Sequence, residues 1–167
     1  MVFGEVTSKA KITNEEIEKI IRDTIKEIGY DSEDLKFDGS NCEVISKLHS
    51  QSQDIKQGVD EEETGAGNHG MMFGYAINET DNLMPYPIDL AQKLTNKLTE
   101  LRESGEILYP RPDGKAQVSV NYDDDGNVTS LDAIVLSTQH DESVSDNQEK
   151  LKEDIREKLF KAVIPSD

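Results

Sequence analysis

Gly65, Gly67 and Gly70 in "GAGNHG" stand at G-x-G-x-x-G spacing, and Asp89 follows about 20 residues on. In a dinucleotide-binding turn such glycines let the backbone approach a pyrophosphate, and the acid binds a ribose hydroxyl. The flanks do not suit that chemistry. Asp60-Glu61-Glu62-Glu63 precedes the first glycine, where a buried strand is required, and sets four carboxylates where phosphates would lie. Met71-Met72-Phe73-Gly74-Tyr75 follows where a helix should open. Asp89 falls at the start of an amphipathic helix, where the helix dipole already favours an acid.

A second pattern points to calcium. Asn121, Asp123, Asp125 and Asp132 occupy loop positions 1, 3, 5 and 12 of a near EF-hand, with Gly126 at position 6. An EF-hand loop joins two helices, and here both flanks alternate as strands. Position 12 is also Asp132 rather than a bidentate glutamate. "DDDGN" is therefore read as a hairpin turn.

Composition narrows the classes further. The chain has 167 residues, 18 Lys plus Arg and 35 Asp plus Glu, for a formal charge of −17. About one domain is expected at this length. The acid excess argues against nucleic acid and anionic membranes as partners, because both require basic patches. Cys42 is the single cysteine, so neither an internal disulfide nor a thiolate cluster can form, as fits a reducing cytoplasm. No apolar run approaches the ~20 residues of a membrane span, and "MVFGE" has no basic segment leading into an apolar stretch.

The elements that must position any site follow from periodicity. Thr13-Asn14-Glu15-Glu16 is a capping box ahead of Ile17, Ile20, Ile21, Ile25 and Ile28, with Gly29 as the stop. A second helix is predicted from Ile88 to Ser104, with Leu90, Ala91, Leu94, Leu98 and Leu101 on one face. A third starts at Ser145, boxed with Gln148, and carries Leu151, Ile155, Leu159 and Val163. Each has one apolar stripe, so each should lie on a sheet. Strands are predicted over Met1 to Thr7, at Cys42, Val44, Ser46 and Leu48, from Ala116 to Tyr122, and from Leu131 to Ser137. Residues 50 to 70 form an aperiodic acidic loop, of a length that is usually functional or disordered. The predicted fold is α+β, with layered sheets and helices on one face.

"QSQDIKQGVD", "GAGNHGMMFGYAINETDNLMPYPIDLAQKL", "YPRPDGKAQVSVNYDDDG" and "AIVLSTQH" together resemble S-adenosylmethionine synthetase, or methionine adenosyltransferase. The resemblance is collinear, from "FGEVTSKAKI" to "KAVIP". It implies that methionine sulfur attacks the 5′ carbon of ATP and expels the triphosphate, which is then hydrolysed. A thioether has no proton to remove, so such a site holds two substrates in line and neutralises growing polyphosphate charge. Mg²⁺ and K⁺ are implied cofactors, with ligands largely outside this chain.

The resemblance also assigns residues. Glu5 in "GEVT" stands beside the methionine site. Gln51 contacts methionine at the root of a gating loop, residues 52–64. Asn68 takes the place of an aspartate that binds substrate, and its carbonyl acceptor lacks the charge that roughly doubles such a bond. His69 replaces a glutamine. Asp113 and Lys115, in "RPDGKAQV", match an acid that contacts nucleoside or methionine and a lysine that contacts phosphate. By residue type alone, Asp113-Gly114-Lys115 is a turn before a strand.

The family builds its subunit from similar α+β domains. Residues 1–78 are expected to supply parts of two of these domains, and 79–167 most of a third. The family's H-P-D-K motif and its lysine-bearing glycine-rich segments have no counterpart in this sequence; His49, His69 and His140 stand outside any such motif. The expectation is a methionine adenosyltransferase, weak or inactive as this chain alone. It would be cytoplasmic and bind ATP and methionine, as a homodimer or in association with a full-length synthetase. The alternative is a non-catalytic binding or regulatory paralogue that docks on such a synthetase.

Overall fold

The computed structural model describes residues 1–52 and 71–164. The chain divides into two compact units, Met1–Gly74 and Tyr75–Asp167.

In the first unit, β1 (Val2–Val6) and β2 (Ser46–Ser50) pair in parallel, with Val2 opposite Ser46 and Val6 opposite Ser50. Between them runs α1 (Asn14–Ile28), whose start is fixed as the letters require. The Glu16 N–H donates to Thr13 Oγ1 at 3.2 Å, and the Thr13 N–H donates to Glu16 Oε2 at 2.7 Å. Gly29 ends the helix at φ +112°, a left-handed conformation that only glycine adopts without strain.

Two expectations need correction here. β2 begins at Ser46, not at Cys42, because residues 38–42 close a turn of their own. The buried Asp38 accepts from the Ser40 N–H with its carboxylate (2.7 Å) and from the Cys42 N–H with its carbonyl (3.0 Å), so that N–H is not offered to a ladder. The isoleucine stripe predicts a helix lying on a sheet, but α1 rests on this turn. Arg22 donates to the carbonyls of Gly39 (2.9 Å) and Ser40 (3.2 Å), and a Cβ on Gly39 would come within 2.9 Å of the Arg22 carbonyl. Ile17, Ile21 and Ile25 are consequently only half-buried, and Ile20 and Ile28 are exposed.

The second unit has the denser core. α2 (Tyr86–Glu103) packs on an antiparallel hairpin of β3 (Pro110–Tyr122) and β4 (Val128–His140). Leu90, Leu94, Leu98 and Leu101 lie on one helical stripe and are all buried. Complete burial of each is worth about 1.5–3 kcal/mol. Ala116 and Val118 of β3 and Ile134 and Leu136 of β4 face them, while Asp113, Lys115, Gln117 and Val135 look outward. Helices thus cover one face of this small sheet.

The hairpin turn is organised by Asp123, whose Oδ1 accepts from the N–H groups of Asp125 (3.1 Å) and Asn127 (2.7 Å). Gly126 supplies the positive φ of +84°. These main-chain donors hold the Asp123 carboxyl below the usual carboxylate range, and the turn joins two strands rather than two helices. After β4, a 3-10 turn at Glu142–Val144 carries Val144 into the core. Ser145 closes that turn instead of opening the next helix, contrary to expectation. The cap is Asn147, which accepts from the Lys150 N–H at 3.3 Å. α3 (Gln148–Asp154) runs into a π-helical stretch, Ile155–Phe160, and a last α-helical turn, Lys161–Val163. Ile155 and Leu159 enter the core shared with α2.

Candidate functional site

Side chains alternate along a strand, so the parallel register decides what Glu5 can meet. Glu5 lies opposite His49, with its Oε1 3.9 Å from His49 Nδ1, and both side chains are exposed. One step further on, the Gln51 N–H reaches the Val6 carbonyl at 3.4 Å, extending the ladder past β2. The Thr7 hydroxyl donates to Gln51 Oε1 at 3.2 Å. Glu5, Thr7, His49 and Gln51 therefore share one face, at the carboxyl ends of both parallel strands. Open parallel sheets present their ligand-binding groups at that end. A carboxylate and a primary amide there can hold an ammonium and a carboxylate, the two charged groups of a free amino acid.

Asp113 and Lys115 lie within β3, not in a turn before it. A register irregularity separates Pro110 from Gly114, and from Gly114 onward the ladder with β4 is regular, with Lys115 opposite Ser137. Gly114 faces α2 so closely that a Cβ would sit 2.9 Å from Leu98 Cδ2. Its two neighbours must then point to the open face. There Lys115 Nζ donates to Asp113 Oδ2 at 3.2 Å, the lysine side chain being 76% exposed and the aspartate 52%. An ion pair so exposed contributes at most about 1 kcal/mol, so both groups remain available to a ligand.

Other polar groups of the second unit are ordered around the hairpin and the start of α2. Arg111 is half-buried, with Nη2 3.6 Å from Asp141 Oδ2. Asp141 is held below the usual range by the Ser143 hydroxyl first, with Arg111 adding to it. At the start of α2, Glu79 Oε2 accepts from the Tyr86 N–H (2.7 Å) and the Tyr122 hydroxyl (3.1 Å). Asp89 accepts from Asn82 (2.6 Å) and pairs with Lys93 (2.7 Å). Its acidic identity, read above as a helix-dipole preference, thus also ties the "NETDN" loop to the helix. Thr7 and His49 were legible only as letters alternating with Glu5 and Gln51; the register that joins them is non-local. Asn68 and residues 53–64 of the gating loop lie outside the described residues.

Residues 63–167 match the family model for the central domain of S-adenosylmethionine synthetase, and residues 1–53 match the model for its N-terminal domain. The chain belongs to the S-adenosylmethionine synthetase family, transferases of S-adenosylmethionine biosynthesis. The mixed helix and strand content and the small sheets agree with the α+β expectation. Members of this family bind ATP and methionine and depend on Mg²⁺ and K⁺. Among the described residues, no three His, Cys, Asp or Glu side chains converge as a cation site. Those residues therefore do not fit a metal held by the protein alone. No described helix is long and apolar enough to cross a membrane.

Proposed function

We propose that this chain supplies substrate-positioning groups for methionine adenosyltransferase chemistry, a set on each of its two units, and has little activity alone. Gln51, held by Thr7, orients methionine, with Glu5 next to it for the ammonium group. Asp113 contacts the nucleoside or the amino acid, and Lys115 meets the polyphosphate. In the reaction, a bond forms between methionine sulfur and the 5′ carbon of ATP as the bond from that carbon to the triphosphate oxygen breaks. No proton moves, so the groups required are positioning groups and positive charge.

One observation supports the low activity. The candidate phosphate-binding cation, Lys115, already has Asp113 at 3.2 Å, within a chain of net charge −17. An expelled triphosphate would meet a field of its own sign. The test is product formation by the purified chain with ATP, methionine, Mg²⁺ and K⁺, followed by mass spectrometry. Turnover comparable with a full synthetase would overturn this reading.

A docking role on a full-length synthetase is the second reading. Its support is apolar surface in the first unit: Phe3, Met71, Met72 and Phe73 are each at least 76% exposed. Pull-down with a full synthetase tests it, and absence of association removes it.

A further inference from the structure

Glu5 has a neighbour that can compete with a substrate for it. His49 lies opposite Glu5 in the ladder of β1 and β2. Its Nδ1 is 3.9 Å from Glu5 Oε1 and 3.4 Å from the Ser50 carbonyl oxygen. A carboxylate and a carbonyl can only accept hydrogen bonds, so Nδ1 carries a hydrogen and Nε2 is the nitrogen that gains or loses a proton. With Nε2 protonated, the ring is a cation beside the carboxylate. Without that proton it is neutral.

The surroundings leave this pair open. Side chains alternate along each strand, so the face that carries Glu5 and His49 also carries Phe3 and Lys47. All four residues are exposed among the described residues. The charged or titratable groups on this face of the ladder are thus Glu5, Lys47 and His49. Histidine is the side chain that ordinarily changes charge between about pH 5 and 8, while carboxyl groups titrate below that window and lysine above it. Lys47 adds the same charge throughout, and a free amino acid stays zwitterionic across most of the window.

We infer that His49 is a positioning residue for the amino-acid ammonium, acting through Glu5. In its neutral form it leaves the Glu5 carboxylate to the substrate. In its cationic form it draws that carboxylate to itself and repels the incoming ammonium. Binding of the amino acid is therefore coupled to release of the Nε2 proton to solvent, and the coupling is reciprocal. This role rests on the methionine contact proposed for Glu5 and adds a pH dependence to it. Both groups are exposed, so the effect is graded, about two- to fivefold in affinity, as for a surface ion pair.

Methionine binding to the full chain, followed through the NMR signal of its methyl group from about pH 7.5 down to about 5.5, is the test. The comparison ligand is 4-(methylthio)butanoate, which keeps the thioether and the carboxylate and lacks the ammonium. Affinity for methionine should fall about two- to fivefold toward the acid end, and that of the comparison ligand should not fall. His49→Gln should hold methionine at the high-pH affinity throughout, and His49→Lys at the low-pH affinity. An unchanged pH slope in His49→Gln, or a parallel loss for the ligand without an ammonium, would overturn the role of His49 and leave the methionine site standing. No binding of methionine at any pH would overturn that site itself, and the role of His49 with it.

Discussion

The Thr7 hydroxyl donates to the side-chain oxygen of Gln51 across 3.2 Å, where β1 and β2 both end. This bond fixes which way the amide faces. With its oxygen accepting from Thr7, Gln51 keeps its NH₂ as the group that can donate to a substrate carboxylate. Thr7→Val should leave the fold intact, since the pair is exposed, with a stability change under about 1 kcal/mol. It should weaken methionine binding several-fold, and Gln51→Ala should weaken it by about tenfold, the value of a single neutral hydrogen bond near the top of its range. Calorimetric titration with methionine measures both; unchanged affinity in Gln51→Ala would remove this residue from the site.

Asp113 competes with any phosphate for Lys115. Asp113→Asn should raise the affinity for inorganic tripolyphosphate a few-fold, and Lys115→Gln should lower it by a similar factor. Both effects should shrink as salt rises, because the pair is exposed and screened. A tripolyphosphate titration at low and high ionic strength checks the signs. Identical affinities in the two variants would show that Lys115 does not meet phosphate.

Gly114 holds β3 against α2. In Gly114→Ala the new methyl would lie 2.9 Å from Leu98 Cδ2, so the buried Leu98 side chain or the hairpin must shift. The expected loss is about 1–3 kcal/mol, typical of overpacking, read as a lower denaturation midpoint. Gly114→Ala combined with Leu98→Val should recover part of it, which a purely local backbone effect would not allow.

Tyr109 and Asp154 give the second unit a pH dependence at both extremes. The Tyr109 hydroxyl donates to Asp154 Oδ2 at 2.7 Å. That bond, with Lys158 behind it, holds the Asp154 carboxyl below the usual range, while burial first and Asp154 second push the Tyr109 hydroxyl up. For the depressed aspartate, the stabilisation is present above its unfolded value of about 3.9 and is lost as pH falls through the folded value. For the raised tyrosine it is complete below about 10 and is lost progressively above that. Tyr109→Phe should cost about 1–3 kcal/mol at neutral pH and flatten both arms of the stability profile. Unfolding curves at pH 3, 7 and 10.5 test this; parallel profiles for the two proteins would contradict it.

Leu94 is fully buried at the centre of the α2 stripe. Leu94→Ala should cost about 2–5 kcal/mol in the denaturant unfolding of the second unit. The exposed Ile20→Ala in α1 should change stability by less than about 1 kcal/mol.

Local rules determined much of this protein from sequence alone. The capping box at Thr13 and Glu16, the stop at Gly29, the leucine stripe of α2 and the Asp123–Gly126 turn all depend on residues within a few positions of one another. Local chemistry suffices for such features. The motifs around Gln51, Asp113 and Lys115 likewise carried the family resemblance before any coordinates.

Tertiary structure decided the rest. Cys42 and Val44 alternate like a strand, yet the buried Asp38 and Arg22, 16 positions earlier than Asp38 in the sequence, draw Cys42 into a turn, and Val44 stays outside the ladder. Asp113-Gly114-Lys115 has turn composition, but pairing with β4 makes it strand, and the nearness of Leu98 to Gly114 turns its neighbours to the open face. Ser145 has the letters of a helix cap and loses that place because burial of Val144 forms a separate turn. Above all, the meeting of Thr7 with Gln51 spans 44 positions. It follows from the register of two parallel strands, and register is set by pairing between distant segments, which no local pattern of residues encodes.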